Sequence, residues 1–438
     1  MFNLKKGTCN FNSNFTGSGK TYLTADHLSQ SSKPFIFAVP TLDQIDEVKD
    51  HYIKACKRNN TKQHNLLVLD GKAFNANDKT DNSYITVGEG EEEQPLLTQG
   101  KTAELVKALK RGDSIICSHT AFLGVDDKDL DLLVEYIVVM DEVTNLLRPV
   151  SMTKTMFELL ERAGAIAVDP VTGKVVWTHI IDAEQATADR FGSDVHPYLI
   201  KLMCEGRLYK SQQFLIEELP HKVFLKADEV LVLAYMFEAT YMHHHFNALG
   251  LPLNDVTEQY QAKSLYTVEE LKAKAKERLV VKVSRKQPLT KLSVDSLTKA
   301  TETSLSKIST AINSLRRKSD IKLEDAIFTC PKSIVDSGKL KLGKATWLYS
   351  GSRGVEKYSK KTAVLYLMEK NMNPAINARI NQLAPTTFNK SVSDAFALQE
   401  MIQFIWRSNI RVADSDKPVT VYFASHRMAK IFNDWLNA

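Results

Sequence analysis

The chain of 438 residues has little cysteine: five residues, at positions 9, 56, 117, 204 and 330, with no C-x-x-C pair. That pattern argues against a zinc site and a disulfide framework. It fits scattered, reduced thiols in a cytosolic protein. Long apolar runs are also missing. The longest, Val230 to Phe237, is far short of the roughly 20 residues a membrane span needs. The N-terminal MFNLKKGTCN has no apolar core that could serve as a secretory leader. A cytoplasmic protein with no membrane partner is expected. Internal repeats, low-complexity tracts and a G-x-S-x-G elbow are absent. Hydrophobic residues make up 43% and charged residues 25%, which excludes a disordered or fibrous chain. The length implies two or three domains.

Net charge is only +5, but it is unevenly spread. Between Lys263 and Lys361 there are 23 Lys and Arg against 10 Asp and Glu, so the rest of the chain is acidic. Two readings stay open for the basic segment: a polyanionic partner such as nucleic acid, or a solvated helical surface. The acidic patch Glu89, Glu91, Glu92, Glu93 reads as a solvated loop.

Apolar runs at Phe35–Val39, Leu66–Leu69, Asp113–Cys117, Tyr136–Met140 and Glu229–Ala234 alternate with helix-like stretches. Such continuous runs predict parallel strands covered on both faces. The stretch from Pro149 to Pro220 departs from this pattern. It reads as a helix-rich insertion with a small hairpin around Asp169–Lys174. Strand-like runs resume at Leu279–Val283, Asp325–Cys330, Ala345–Leu348, Thr362–Leu367 and Val419–Phe423. The fold class expected is therefore α/β, in two halves.

Thr16-Gly-Ser-Gly-Lys-Thr21 is the sharpest local motif. Glycines let a backbone turn tightly and present its N–H groups, and with the helix start that follows they cradle phosphate. Thr16, Gly17, Ser18 and Gly19 would form the cradle. Lys20 would reach the terminal phosphates and Thr21 would ligate Mg²⁺. The strict P-loop pattern wants Gly at position 14, where Asn14 stands, so a plain Gly/Ser turn remains the alternative. A second motif narrows the choice. Tyr136–Met140 runs into Asp141 and Glu142, two carboxylates at the C-terminal end of a buried strand, where α/β sheets face their ligands. Asp141 is then the metal-holding carboxylate and Glu142 the one that polarises water. The bland alternative is a helix-capping pair.

In this order the motifs resemble superfamily 2 helicases and translocases, over both halves of the chain. The resemblance extends to Val39-Pro40-Thr41-Leu-Asp-Gln44 and Cys117-Ser118-His119-Thr120-Ala-Phe122, both similar to strand-contacting motifs. Asp141-Glu-Val-Thr144 is similar to the DEAD/DEAH box. Phe237-Glu238-Ala-Thr240 resembles the S-A-T motif. Ser352-Arg353-Gly354-Val-Glu356 resembles A-R-G-x-D, and Gln403-Phe-Ile-Trp-Arg407-Ser-Asn-Ile-Arg411 resembles the arginine-finger motif, with Trp406 where Gly is usual. The wording of the last two looks most like helicases of tailed bacteriophages.

The resemblance implies two tandem RecA-like P-loop NTPase domains with parallel sheets, about 1–250 and 251–438, with the insertion at about 149–220. It implies ATP and Mg²⁺ in the cleft between them. Lys20, Asp141, Glu142, Gln403, Arg407 and Arg411 would be catalytic, Arg407 as first candidate for the finger. Gly354 and Glu356 would touch the nucleotide. Pro40, Thr41, Ser118, His119, Thr120 and Arg353 would touch single-stranded or partly duplex nucleic acid, with DNA as first candidate and RNA left open, joined by the basic cluster Arg316, Arg317, Lys318. Replication proteins would be further partners. On a helix, Arg407 and Arg411 would share a face. A viral packaging motor and a strand-binding clamp without unwinding share parts of this pattern. The packaging motor would need a nuclease-type carboxylate cluster, and the C-terminal half has none. The glutamine motif for adenine is not recognisable. Phe2 and Phe11 read as core residues or base-stacking platforms. His243, His244 and His245 are not expected to share a metal, because adjacent helical histidines point in different directions.

Overall fold

The buried apolar runs become strands because β-branched and aromatic side chains fill both faces of a covered sheet. In the computed structural model, described for residues 2–70, 99–178, 196–264, 266–319, 321–340, 342–351 and 356–438, the chain opens with β1 (Cys9–Asn12), β2 (Phe35–Val39), β3 (Leu66–Val68), β4 (Ser114–Ser118) and β5 (Ile137–Asp141). Five strands follow in the inserted stretch: β6 (Leu147–Val150), β7 (Ile166–Val168), β8 (Lys174–Trp177), β9 (Leu208–Ser211) and β10 (Phe214–Glu218). Then β11 (Glu229–Leu233) and β12 (Leu253–Asp255) return to the first sheet. It is wholly parallel, in the order β12-β1-β11-β5-β2-β4-β3. Its last strand lies beyond the boundary expected near residue 250.

A second parallel sheet follows, from β13 (Leu279–Val283), β14 (Ala326–Thr329), β15 (Thr346–Trp347), β16 (Ala363–Tyr366) and β17 (Val419–Phe423), in the order β13-β17-β16-β14-β15. The chain is thus α/β, with two parallel sheets in tandem, as expected. Ten expected strands occur within a residue or two of their observed bounds. β1 was not expected. Its sequence, CNFN, carries two asparagines, which are poor strand formers. Both are fully buried. The Asn10 side chain is satisfied by the Lys5 and Val230 carbonyls and by Asn254.

The insertion needs a correction. It holds helices Lys154–Arg162 and Pro197–Cys204, but its frame is an antiparallel sheet of order β6-β10-β9-β8-β7. The hairpin expected at Asp169–Lys174 is there. The Asp169 carboxylate accepts from the Val171 and Thr172 N–H groups, and Gly173 takes φ 72°, a conformation that favours glycine. Leu147 and Ile216 of this unit pack on Ala375, Ile376 and Ile380 of helix Pro374–Leu383, so the insertion docks on the second half.

Phe15, in the loop before Thr16, is fully buried in the second half's core rather than the first's. Its ring meets Tyr235 and Trp406 edge-on at 4.8 and 4.9 Å and stacks parallel to Trp435 at 6.2 Å. Offset and edge-to-face aromatic pairs are the favoured geometries. The segment leading into Thr16–Thr21 is therefore anchored in the second half through Phe15. Phe2 and Phe11 are core residues: Phe2 stacks on Tyr260 at 3.7 Å and Phe11 tilts against Phe237 at 4.9 Å. Among the described residues no helix is long and apolar enough to cross a membrane. The acidic patch Glu89–Glu93 lies outside the described residues.

Candidate functional site at the Thr16–Thr21 loop

β1 ends and the chain turns through Thr16–Gly19 into helix Lys20–Ser29. Gly17 and Gly19 both take left-handed backbone angles, φ 83° and 82°. A Cβ at Gly19 would meet nothing, and one at Gly17 would meet only the Arg411 side chain, at 3.9 Å. Space is therefore open beside the loop, and Arg411 borders it from the second half. Lys20 is buried and its ammonium donates to the Asn14 and Phe15 carbonyls at 2.8 and 3.0 Å. Burial lowers its pKa, an effect opposed by Glu142 and Asp141.

β5 delivers Asp141 and Glu142 opposite the loop. Thr21 donates its hydroxyl to Asp141 at 3.2 Å. Burial, then the neighbouring Glu142, pushes the Asp141 carboxyl up to about 7, against the pull of Lys20 and Thr21. Glu142 takes φ 69°, left-handed and uncommon for a residue with a side chain. Its N–H donates to the Leu233 carbonyl, which fixes the strained turn. Its carboxylate accepts from Gln403 Nε2 at 3.1 Å, a contact across the cleft from the second half.

Gln403 sits near the end of helix Lys390–Ile405. The helix stops there, so Arg407 and Arg411 do not share a helical face as expected. Arg407 follows the last turn, and Arg411 closes a short 3-10 turn, Asn409–Arg411. Arg278 holds the chain there: it donates to both the backbone carbonyl and side-chain oxygen of Asn409 at 2.8 Å and to the Val412 carbonyl at 2.8 Å. Both arginines still line the cleft, together with Lys20, Thr21, Asp141, Glu142, Gln403 and Trp406. Arg407 is 4% exposed, and its Nε donates to the Gln403 carbonyl at 3.2 Å.

The cleft measures about 170 Å³, below the roughly 300–1,000 Å³ usual for small-molecule sites. The donor set fits phosphate and Mg²⁺. Ser18 Oγ is buried in the loop with no hydrogen-bond partner among the described residues. Lys20 and two arginines supply cations. Thr21 and Asp141 form an all-oxygen pair of the kind a hard cation takes.

Sequence reasoning missed several wall residues: Tyr22, Glu47 and His51 also line the cleft. They lie on helices at amphipathic spacing, which gives no sign of a ligand. It also missed Ser13. Its hydroxyl donates to Glu238 at 2.8 Å and accepts from the Phe237 N–H at 3.1 Å, so the Phe237–Thr240 segment is tied to the strand that carries the loop.

The expected strand contacts fare differently. His119 is turned inward, 6% exposed, with Nε2 3.0 Å from the Asp141 carbonyl oxygen, so it braces the site and offers no outer surface. Ser118 caps its own short helix by accepting from the Ala121 N–H. Thr41 donates to Gln44 at 3.0 Å; Pro40 and Thr41 follow β2 and Thr120 lies in the short helix after β4, all three partly exposed. Arg316, Arg317 and Lys318 are exposed on the last turn of helix Glu302–Ser319. They line a separate surface depression with Lys322 and Lys344. Arg353 and Gly354 lie outside the described residues, as does the Glu356 side chain.

Residues 261–436 match the family described as the YonV C-terminal Rossmann-like domain. Over 441 residues the chain is 23% identical to the SPbeta prophage-derived uncharacterized protein YonV of Bacillus subtilis (strain 168), covering 96% of each. Among solved structures it is similar to apo XPD, with 14% identity, 95% and 92% of the two chains covered, and a TM-score of 0.47. A structure of XPD helicase gives 13% identity, 98% and 95% coverage and the same TM-score, 0.47. The DUF1998 helicase MrfA bound to DNA and AMPPNP gives 12% identity, 98% and 48% coverage and a TM-score of 0.32.

Proposed function

We propose that the protein is an ATP-driven helicase or translocase of the superfamily 2 kind, acting on nucleic acid, DNA by preference. One observation carries the reading. A glycine phosphate loop and a strand-terminal Asp-Glu pair from the first sheet face Gln403, Arg407 and Arg411 from the second across one cleft. Such a cleft responds to closure, because its two walls belong to different halves. Phosphoryl transfer to water calls for positioning and charge neutralisation more than covalent chemistry. In this reading the loop N–H groups and Lys20 hold the triphosphate, and Thr21 and Asp141 hold Mg²⁺, which would neutralise phosphate charge. Glu142 orients the attacking water, with Gln403 fixing its carboxylate. Arg407, backed by Arg411, stabilises charge that develops on the leaving phosphate. The Phe15–Trp406 contact gives the loop a packed link to the second half. Each hydrolysis cycle would thereby move one half against the other along a strand held mainly by its backbone.

The reading extends to a viral role in replication, recombination or repair, with replication proteins as partners; the prophage-derived relative supports the viral part alone. The test is ATP turnover by the full chain with and without single-stranded DNA and RNA, beside Lys20→Ala. Stimulation by a strand and loss in Lys20→Ala with an unchanged circular dichroism spectrum support the reading. Turnover unaffected by Lys20→Ala removes it.

A further inference from the structure

A second cluster of chemistry-bearing side chains lies away from the phosphate loop, where the insertion meets both halves. Glu218 ends β10, His221 follows in the turn, and His245 projects from helix Tyr241–Ala248. Glu218 Oε1 lies 3.0 Å from His221 Nδ1 and 3.6 Å from His245 Nε2, and the three ligand atoms all fall within 4.8 Å of one another. Nitrogen and oxygen ligands about 2.0–2.1 Å from a tetrahedral ion stand about 3.3 Å apart, so the two measured distances bracket the edge of such a polyhedron. His245 is 1% exposed, and its Nε2 faces the Glu218 carboxylate at ion-pair distance, 3.6 Å, too long for a hydrogen bond. A buried ring nitrogen without a close partner is costly, and a cation bound at Nε2 would relieve that cost. The second carboxylate oxygen, Oε2, is held by Arg379 Nε and Nη2 at 3.1 and 2.8 Å. That clamp fixes the carboxylate and leaves Oε1 to the histidines, as partners of ligating carboxylates do. His221 is partly exposed, with 23% of its side chain accessible, which leaves a way in for an ion and a water.

We propose that Glu218, His221 and His245 form a site for a divalent transition-metal ion of the zinc class, with water as fourth ligand. Two imidazoles and one carboxylate suit Zn²⁺ and its neighbours rather than Mg²⁺ or Ca²⁺. The ion would act as a clasp. It joins the insertion to the first half through His245, and to helix Pro374–Leu383 of the second half through the Arg379 clamp on Glu218. The Arg379 charge opposes a cation, so the ion should be exchangeable and stripped by a chelator. The histidine triplet thus contributes one ligand, His245, with the other two from elsewhere in the chain.

The test titrates chelator-treated full-length protein with Co²⁺ in the absence of nucleotide. The expected result is one equivalent bound with the intense visible absorption of a four-coordinate ion, displaced by Zn²⁺. That band should be lost in His221→Ala and in His245→Ala. An ion at Thr21 and Asp141 would be oxygen-ligated and six-coordinate, with only weak absorption, so it cannot imitate this signal. Because His245 is core, His245→Ala counts only if its circular dichroism matches wild type. His221→Ala alters a partly exposed residue and carries the test otherwise. Absence of a four-coordinate band in wild type, or a band that survives His221→Ala, overturns the site.

Discussion

Asp141 is buried beside Glu142, and its carboxyl is pushed up to about 7 from the ordinary 3.8. A folded-state pKa raised above the unfolded value means that the folded protein holds the proton more tightly. The resulting stability is present in full below the unfolded pKa and is lost as pH rises through the folded one. One pKa unit corresponds to about 1.36 kcal/mol. Between pH 5 and pH 7, two units inside the window, the chain without divalent ions should lose up to about 3 kcal/mol through this carboxyl alone. Asp141→Asn removes the titration and keeps the shape. Lys20, Thr21, Glu142 and Glu47 face the carboxyl and are common to both proteins, so the difference between the two pH profiles reports Asp141. The assay is thermal unfolding with chelator at half-unit steps from pH 5 to 7.5. The variant should become progressively the more stable of the two as pH rises, and Mg²⁺ with nucleotide should restore the wild type and do less for the variant. Profiles that stay parallel across this range would show that Asp141 is ionised throughout, and that burial beside Glu142 does not govern it.

Glu142→Gln should bind ATP and turn it over very slowly, since only the water-orienting carboxylate is lost; equilibrium binding and single-turnover hydrolysis measured together check this. Arg407→Ala should keep nucleotide affinity near wild type and lose hydrolysis, by up to roughly 10³- to 10⁵-fold if it acts as an arginine finger, and a variant as fast as wild type would remove it from that role. Single-strand affinity should fall with salt at a log–log slope of about −0.7 per phosphate contacted. Reversing the charges of Arg316, Arg317 and Lys318 should make that slope shallower with basal ATP turnover unchanged, and an unaltered slope would mean that the strand runs elsewhere.

Much of this protein is local in its chain. The apolar runs at Phe35–Val39, Tyr136–Met140 and Val419–Phe423 fix themselves as buried strands, because nothing else satisfies so many adjacent apolar side chains. Thr16–Thr21 and Asp141–Glu142 stand out in the sequence for the same reason: each is one short segment whose residue types and order point to a chemistry. What depends on distant residues was closed to that reading. β1 is a strand although it carries Asn10 and Asn12, because Val230 and Asn254 satisfy the Asn10 amide from neighbouring strands. Antiparallel pairing organises the insertion, and the sequence pattern there shows its helices more plainly than its partners. Arg407 and Arg411 lie past the end of the helix, where Arg278, from far upstream, holds Asn409. His119 points inward because the Asp141 carbonyl lies beside it. The Gln403–Glu142 bond, the burial of Phe15 among the second half's aromatics and the meeting of Glu218, His221 and His245 join residues far apart in the chain. Local propensity carries no term for such contacts; only packing the sheets and helices together brings them within bonding distance.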